Sequence, residues 1–223
     1  MASGLEDVFE ELMNLLYHHD SAVAGEAAGI ALGLVMLGTA TERSAEMLRF
    51  AHVTQHEKII RSISLGLALI MFGLEEKADP MIETLANDKD PLLRYGGMFA
   101  VGLAYSGTAN NNAVKKLLHY AVSDVSDDVR RAAVMSLGFV LFRRPEQVPR
   151  LVSLLSESYN PHVRYGAAIA IGVACAGTGM KEAVELLQVL AKDSTHFVRQ
   201  GAFIALAMVL IEVSEKANPK VRS

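Results

Sequence analysis

Two histidines, His52 and His56, stand four residues apart with Glu57 beside the second, so a helix would bring both imidazoles onto one face, as a zinc pair requires. Such sites need three or four ligands, and no third stands nearby; the pair reads as ordinary surface residues. Gly177-Thr178-Gly179 resembles part of a phosphate loop, but the Gly-Lys-Ser/Thr ending is missing and an apolar helix, not a strand, precedes it. It reads as a turn. Asp88, Asp90, Asp124, Asp127 and Asp128, with Asp20 and Asp193, fall between helical segments, where carboxylates favour helix N-termini, and capping accounts for them. Arg94, Arg130, Arg164 and Arg199 recur at a fixed interval and could form a ladder for an acidic partner or phosphate; bonds within the chain to turns rich in carbonyls and acids are the favoured reading. Seven histidines and many hydroxyls are present, yet nothing pairs a nucleophile with a base and an orienting group. The sequence therefore assigns no catalytic, cofactor-binding or metal residue.

The elements that hold these residues repeat. Aligning Gly33, Ala68, Gly102, Gly138, Gly172 and Ala207 gives offsets of 35, 34, 36, 34 and 35 residues, a period that means a solenoid of helix pairs. Asp90, Ser126, Asn160 and Thr195, each four residues before an arginine of the column, read as N-caps, and Pro91 and Pro161 follow two of them at the first helical position. Gly25 takes the arginine's place in the first copy, and Arg61 is displaced by one residue in the second. Five residues after the alignment column come Gly38, Gly73, Gly107 and Gly177, where a helix needs a left-handed residue to stop. The fourth copy carries Arg143-Arg144-Pro145 instead, and termination falls to the proline.

In chain order, Leu5–Tyr17 predicts an amphipathic helix with Leu5, Val8, Phe9, Leu12, Leu15 and Leu16 inward, and Ser21 caps an apolar helix Ala22–Leu37 striped by Gly25, Gly29 and Gly33. Amphipathic and apolar helices then alternate: Arg43–Val53 and Glu57–Phe72, Lys77–Ala86 and Leu92–Tyr105, Asn112–Val122 and Asp128–Phe142, Gln147–Ser156 and His162–Ala176, Lys181–Ala191 and His196–Val213. The first of each pair carries charges on one side, as at Lys115, Lys116 and His119 or Glu182 and Glu185. The second is small and apolar almost all round and must be covered on all sides. The expected fold is all-α: an α-α superhelix of about six helix pairs in two layers, amphipathic helices outside and Ala/Gly-rich helices inside. Residues 4–213 form one solenoid domain, with repeats at 4–38, 39–73, 74–107, 108–143, 144–177 and 178–213. Residues 1–3 and the closing Arg-Ser read as added residues rather than targeting signal, and 214–223 as a polar tail.

At 51% hydrophobic and 21% charged over 223 residues, the composition is that of a soluble globular protein with ample surface to bury. A net charge of -4 provides no basic footprint, which disfavours a nucleic-acid partner. No membrane association is expected: the longest uncharged window, Tyr95–Val114, is interrupted by Ser106, Thr108, Asn110, Asn111 and Asn112 and falls short of the ~20 apolar residues a spanning helix needs. The single cysteine, Cys175, excludes an internal disulfide, sits among apolar residues, and fits a reducing compartment, cytosol or nucleus.

The segments TQHEKIIR from Thr54, AVSDVSDDVRRAAVMSLGFVLFR from Ala121, SLLSESYNPHVRYGAA from Ser153 and CAGTGMKEA from Cys175 resemble the proteasome/cyclosome (PC) repeats of the larger non-ATPase scaffold subunit in the base of the proteasome regulatory particle, over roughly Ala22 to Val213. The resemblance implies a non-catalytic subunit, without cofactor, that holds other regulatory subunits and supports degradation of ubiquitinated proteins in cytoplasm and nucleus. It also implies repeats that form part of a toroid of two concentric helix layers. The family's N-terminal rod, ring-completing repeats and C-terminal receptor-docking region are not recognisable here, and Gly4–Tyr17 is not matched.

Two other classes remain. A generic HEAT-like adaptor would share the pattern of DDVRRAAVMSLG without the longer segments. An enzyme on a helical solenoid would need polar residues converging on the inner face, where this sequence places Ala, Gly, Ile and Val. The last helix, with Phe203, Ile204, Leu206, Met208, Val209, Leu210 and Ile211, predicts an exposed apolar face and a homo-oligomer joined through terminal repeats, while Glu6, Asp7, Glu10 and Glu11 are expected to protect the N-terminal edge.

Overall fold

The computed structural model describes residues 2–18, 21–39, 42–211 and 213, with side chains for 6–17 and from 21 onward within those ranges. Asp20, the inward placing of Leu5 and the polar tail lie outside the described residues. Two compact units divide at Tyr105 and Ser106, each holding three helix pairs. Among the described residues there is no strand.

The first unit contains α1 (Ala2–His18), α2 (Ala22–Val35), α3 (Arg43–Val53), α4 (Glu57–Ile70), a 3-10 turn (Glu75–Ala78), α5 (Asp79–Ala86) and α6 (Pro91–Ala104). Its apolar helices stack, α2 on α4 and α4 on α6, while α1, α3 and α5 each back onto the apolar partner that follows. The second unit contains α7 (Asn111–Ser123), α8 (Asp127–Leu141), a 3-10 turn (Pro145–Gln147), α9 (Val148–Ser156), α10 (Pro161–Ala174), α11 (Lys181–Leu190) and α12 (His196–Leu210), and repeats the plan with α8, α10 and α12 stacked beneath α7, α9 and α11. The two layers inferred from charge and size are thus present in each unit, an α-solenoid arrangement. The stacked helices are buried nearly all round because their side chains are small: Ala132, Ala133, Val134, Leu137 and Val140 of α8, and Ala167, Ala168, Ala170 and Ile171 of α10, have no exposure.

Glycine sets how close the stack becomes. A Cβ at Gly172 would lie 2.9 Å from both the Cα and Cβ of Ala205, and one at Gly138 would lie 2.8 Å from the Ala170 carbonyl oxygen. In the first unit Gly25, Gly29 and Gly33 form the expected stripe, with Gly25 against Ile59, Gly29 against Ser62 and Gly33 against the Gly66 backbone. At Gly33, Gly138 and Gly172 no larger residue fits without moving backbone, whereas at Gly25 the obstacle is the end of the Ile59 side chain.

Several details differ from the sequence expectation. The apolar helices stop early, α6 and α8 by one residue, α2, α4 and α10 by two and α12 by three, as the chain that follows tightens into i to i+3 bonds such as Phe72 N–H to Leu69 O (3.1 Å) and Thr178 N–H to Cys175 O (3.1 Å). The helices expected over Lys77–Ala86 and Gln147–Ser156 open as 3-10 turns, with Pro80 and Pro149 in the first turn of the α-helix that follows. In α1, Phe9, Met13 and Leu16 are buried, whereas Val8 and Leu15 are exposed. Spacings of four and three residues keep that stripe narrower than the six residues first placed on it.

Candidate interaction surfaces

Helices α6, α8, α10 and α12 begin with the same device, and α4 with a longer version of it, His56 N–H to Thr54 Oγ1 at 3.4 Å. Two residues before the N-cap, a short polar side chain accepts the N-cap's own N–H: Asp90 to Asp88 (2.8 Å), Ser126 to Asp124 (2.8 Å), Asn160 to Ser158 (3.2 Å) and Thr195 to Asp193 (2.8 Å). The column arginine then folds back over the turn. Arg94 Nη1 donates to the carbonyls of Asp88 and Lys89, Arg164 to those of Ser158 and Tyr159, Arg199 to those of Asp193 and Ser194, all within 2.8–3.1 Å, and Arg130 Nε donates to Asp124 O. The arginines therefore bond inward, as favoured. Side-chain capping is less uniform than expected: Ser21, Asp90 and Asn160 accept helix N–H groups, but Ser126 and Thr195 occupy the N-cap without a side-chain bond. There the acid two residues earlier already orders the turn.

Arg130 and Arg164 also reach beyond their own turns, Arg130 Nη1 donating to the Tyr159 hydroxyl at 3.4 Å. Arg164 holds Asp193 in a two-pronged pair, Nε to Oδ2 at 2.6 Å and Nη2 to Oδ1 at 2.9 Å, joining the start of α10 to the turn before α12. Both side chains are largely buried. Hydrogen bonding from Arg164 lowers the Asp193 pKa, and the same bond raises that of Arg164.

The opposite ends of the apolar helices carry the glycine turns. Gly38, Gly73, Gly107 and Gly177 all have φ between 66° and 71°, as expected, and each N–H donates to the apolar helix of the next pair: to Leu69 O, Leu103 O, Phe139 O and Met208 O at 2.9–3.3 Å. Two positions later the chain is left-handed again at Glu75, Ala109 and Gly179, and Ala109 and Gly179 add bonds to Val140 O and Val209 O. Sequence reasoning missed Glu75 and Ala109 because neither residue type advertises a positive φ; their shared register with Gly179 was the available signal. The Gly177 and Gly179 amides thus point at α12, that of Thr178 turns back to Cys175 O, and the three form no phosphate cradle.

The remaining chemical candidates disperse. His52 Nε2 pairs with Asp88 Oδ2 at 2.7 Å, while His56 occupies the N-cap of α4. Asp127 accepts from Asn160 Nδ2 at 2.6 Å and Asp128 from Arg131 at 2.6 Å. Cys175 is buried, and desolvation pushes its thiol up to about 11, which suppresses the reactive thiolate. Among the described residues no group of three or more His, Cys, Asp or Glu could hold a metal, and no helix is long and apolar enough to cross a membrane. An open groove of 420 Å³ between α9 and α11 is lined by Pro149, Arg150, Glu182, Glu185, Leu186 and Val189.

Two apolar stripes are exposed. On α12, Phe203, Ile204 and Ile211 face solvent, although Val209, expected among them, is buried. On α2, Val23, Ile30, Leu34 and Leu37 are exposed, so the acids of α1 do not shield this edge as expected. Helix α1 packs on α2 and α4 covers its glycine stripe, and neither covers Val23, Ile30 and Leu34.

Residues 114–207 match a family model of HEAT repeats. Over 97% of its length the chain is 62% identical to the Arabidopsis thaliana protein named 26S proteasome non-ATPase regulatory subunit 1 homolog B. The chain is similar to part of that subunit. It spans 22% of it, and 22% and 23% of the Drosophila melanogaster 26S proteasome non-ATPase regulatory subunit 1 and the Schizosaccharomyces pombe 26S proteasome regulatory subunit rpn2, to which it is 56% and 54% identical over 99% of its own length. The chain thus corresponds to about a fifth of these relatives. A designed armadillo repeat protein aligns over 92% of this chain and 99% of its own at 17% identity with a TM-score of 0.39, too distant to bear on the argument.

Proposed function

We propose that this chain is a repeat-built stretch of a non-catalytic scaffold subunit of the proteasome regulatory particle, binding other regulatory subunits and so supporting ATP-dependent degradation of ubiquitinated proteins in cytoplasm and nucleus. The observation that carries the reading is the 62% identity along 97% of the chain to a protein named as a non-ATPase regulatory subunit. The geometry supports it: polar side chains are spent on ordering turns and joining repeats, and the stacked helices meet through Ala, Gly and Val. A solenoid used this way presents surfaces rather than a reaction centre. Affinity purification of the tagged chain from cell extract, followed by mass spectrometry, tests the proposal. Enrichment of proteasome regulatory subunits is expected; recovery of a different assembly without them would favour a generic HEAT-like adaptor.

We infer that the isolated 223-residue chain also self-associates head to tail. At the α12 end Phe203 and Ala207 are exposed at the positions equivalent to Ala168 and Gly172 of α10, both buried, Gly172 against Ala205 of α12; at the α2 end Ala27 is exposed at the position equivalent to Gly166, which lies against Val134 of α8. The open positions of α12 are those of a forward face and that of α2 is one of a backward face, so a second copy fits as a heterologous neighbour. Light scattering should show mass rising with concentration, and Phe203→Glu with Ile204→Glu should abolish the rise; a constant monomer mass would overturn the inference.

A further inference from the structure

The turn after α8 departs from its counterparts in a way the stacking of helices does not require. Where four other turns place a left-handed glycine whose N–H bonds the next apolar helix, this one places Arg143, followed by Arg144 and Pro145. Pro145 stands where Gly179 and Ala109 each donate an N–H, and it has none to give. The fold forgoes two inter-repeat hydrogen bonds here, each worth about 1 kcal/mol.

What stands there instead is a presented cationic pair. Arg143 and Arg144 are exposed, and among the described residues neither guanidinium has a carboxylate or carbonyl partner, in contrast to the inward-bonded Arg94, Arg130, Arg164 and Arg199. The pair is held in place. Gly107 has no Cβ, and one built there would lie 2.7 Å from Phe142 Cε1 and 3.1 Å from Arg143 Cδ, so the aromatic ring and the arginine stem rest on that turn. The Arg143 guanidinium lies 5.7 Å from the Phe142 ring centroid, and Phe142 is 43% exposed. Pro145 fixes the backbone beyond. Glu146 is the only acid in the segment from Phe142 to Val152.

We propose that the Phe142-Arg143-Arg144 turn is a docking site for an acidic protein segment, whose carboxylates engage the two guanidiniums while a neighbouring aliphatic side chain packs on Phe142. Planar guanidiniums match carboxylates in two-pronged geometry, and a stem already laid down loses less freedom on binding. The chain's net charge of -4 speaks for a local protein contact rather than a nucleic-acid surface.

Fluorescence anisotropy with the whole 223-residue chain tests this, using a labelled peptide of alternating glutamate and leucine. Binding should weaken as salt rises and fall at least tenfold in Arg143→Gln/Arg144→Gln, while Lys115→Gln/Lys192→Gln, which removes the same charge from exposed lysines elsewhere, leaves it unchanged. Phe142→Ala should weaken the glutamate-leucine peptide and leave an all-glutamate one unaffected. Thermal melts of each variant confirm folding. Equal affinity in the double arginine variant, equal binding of the glutamine-leucine counterpart, or displacement by inorganic phosphate as effective as by unlabelled peptide would each overturn the assignment.

Discussion

Helix α10 is joined to α12 on one side and to α8 on the other, and the two joints are closed by different means. Both bring backbones together through glycine, Gly172 over Ala205 in one and Gly138 over Ala170 in the other. The α10–α12 joint is then latched at both ends, by Arg164 with Asp193 at the helix starts and by Gly177 and Gly179 N–H groups at the helix ends. The α8–α10 joint keeps only the first latch, Asn160 Nδ2 to Asp127 with Arg131 near His162, and its other end is the Arg143-Arg144-Pro145 turn. Helix α8 also buries the Ser136 hydroxyl, which has no partner among the described residues. Close packing and latching are therefore separable: helices of this type stack on shape alone, and the bonds at their ends can be given up where a turn serves another purpose.

The largest expected effect lies in the shape both joints share. Gly172→Leu should cost about 3 kcal/mol or more, since overpacking a tight core typically costs about 1–3 kcal/mol and the obstacle here includes the Ala205 backbone. Gly172→Ala should also lower the urea midpoint despite the ~1 kcal/mol of helix propensity alanine offers. A midpoint that rises in either variant would mean the joint is looser than described.

Next comes the ion-pair latch. Asp193→Asn should cost about 2 kcal/mol, below the 3–5 kcal/mol of a fully buried pair, because both side chains retain some exposure. The acid response sharpens the test. Because the folded pKa of Asp193 is depressed, its contribution is present above the ordinary carboxylate value of about 3.9 and is lost as pH falls through the lower folded value. The wild-type chain should lose stability over that acid range more steeply than Asp193→Asn; parallel curves would remove the latch from the account.

This contrast was only partly legible in the sequence. The 35-residue period, the glycine stripe and the left-handed glycines follow from residue type, and so does the oddity of Arg143-Arg144-Pro145. The Arg164–Asp193 pair does not, because it joins residues 29 apart and Ser158, which holds the position of Asp193 in the preceding copy, offers Arg130 no carboxylate. Nor do the roles of Asp88, Asp124 and Asp193: a short acid near a helix start suggests a cap, yet these accept the N–H of the cap residue itself. Exposure at Leu154 and Val189 escaped as well, since apolar residues at helical spacing on α9 and α11 pass for inward ones.

The glycine latch follows in size. Gly177→Val places a branched side chain at φ 68° and should cost about 1–2 kcal/mol, whereas Arg143→Gly, where no left-handed residue is needed, should shift stability by under about 0.5 kcal/mol. Matching losses at the two sites would erase the distinction. Opposite in sign is Ser136→Ala, which removes a buried hydroxyl without a partner among the described residues and should raise stability by about 1 kcal/mol; a loss would show that the hydroxyl is bonded after all.

Amide hydrogen exchange at the two turns tests the separation of packing from latching most directly. The Gly177 and Gly179 N–H groups, bonded to Met208 O and Val209 O at 2.9 and 3.0 Å, should exchange within about tenfold of the slowest amides of α12, opening only when the joint opens, while the Arg143 amide exchanges at rates typical of an exposed turn. Fast exchange at Gly177 and Gly179, equal to that at Arg143, would contradict the account.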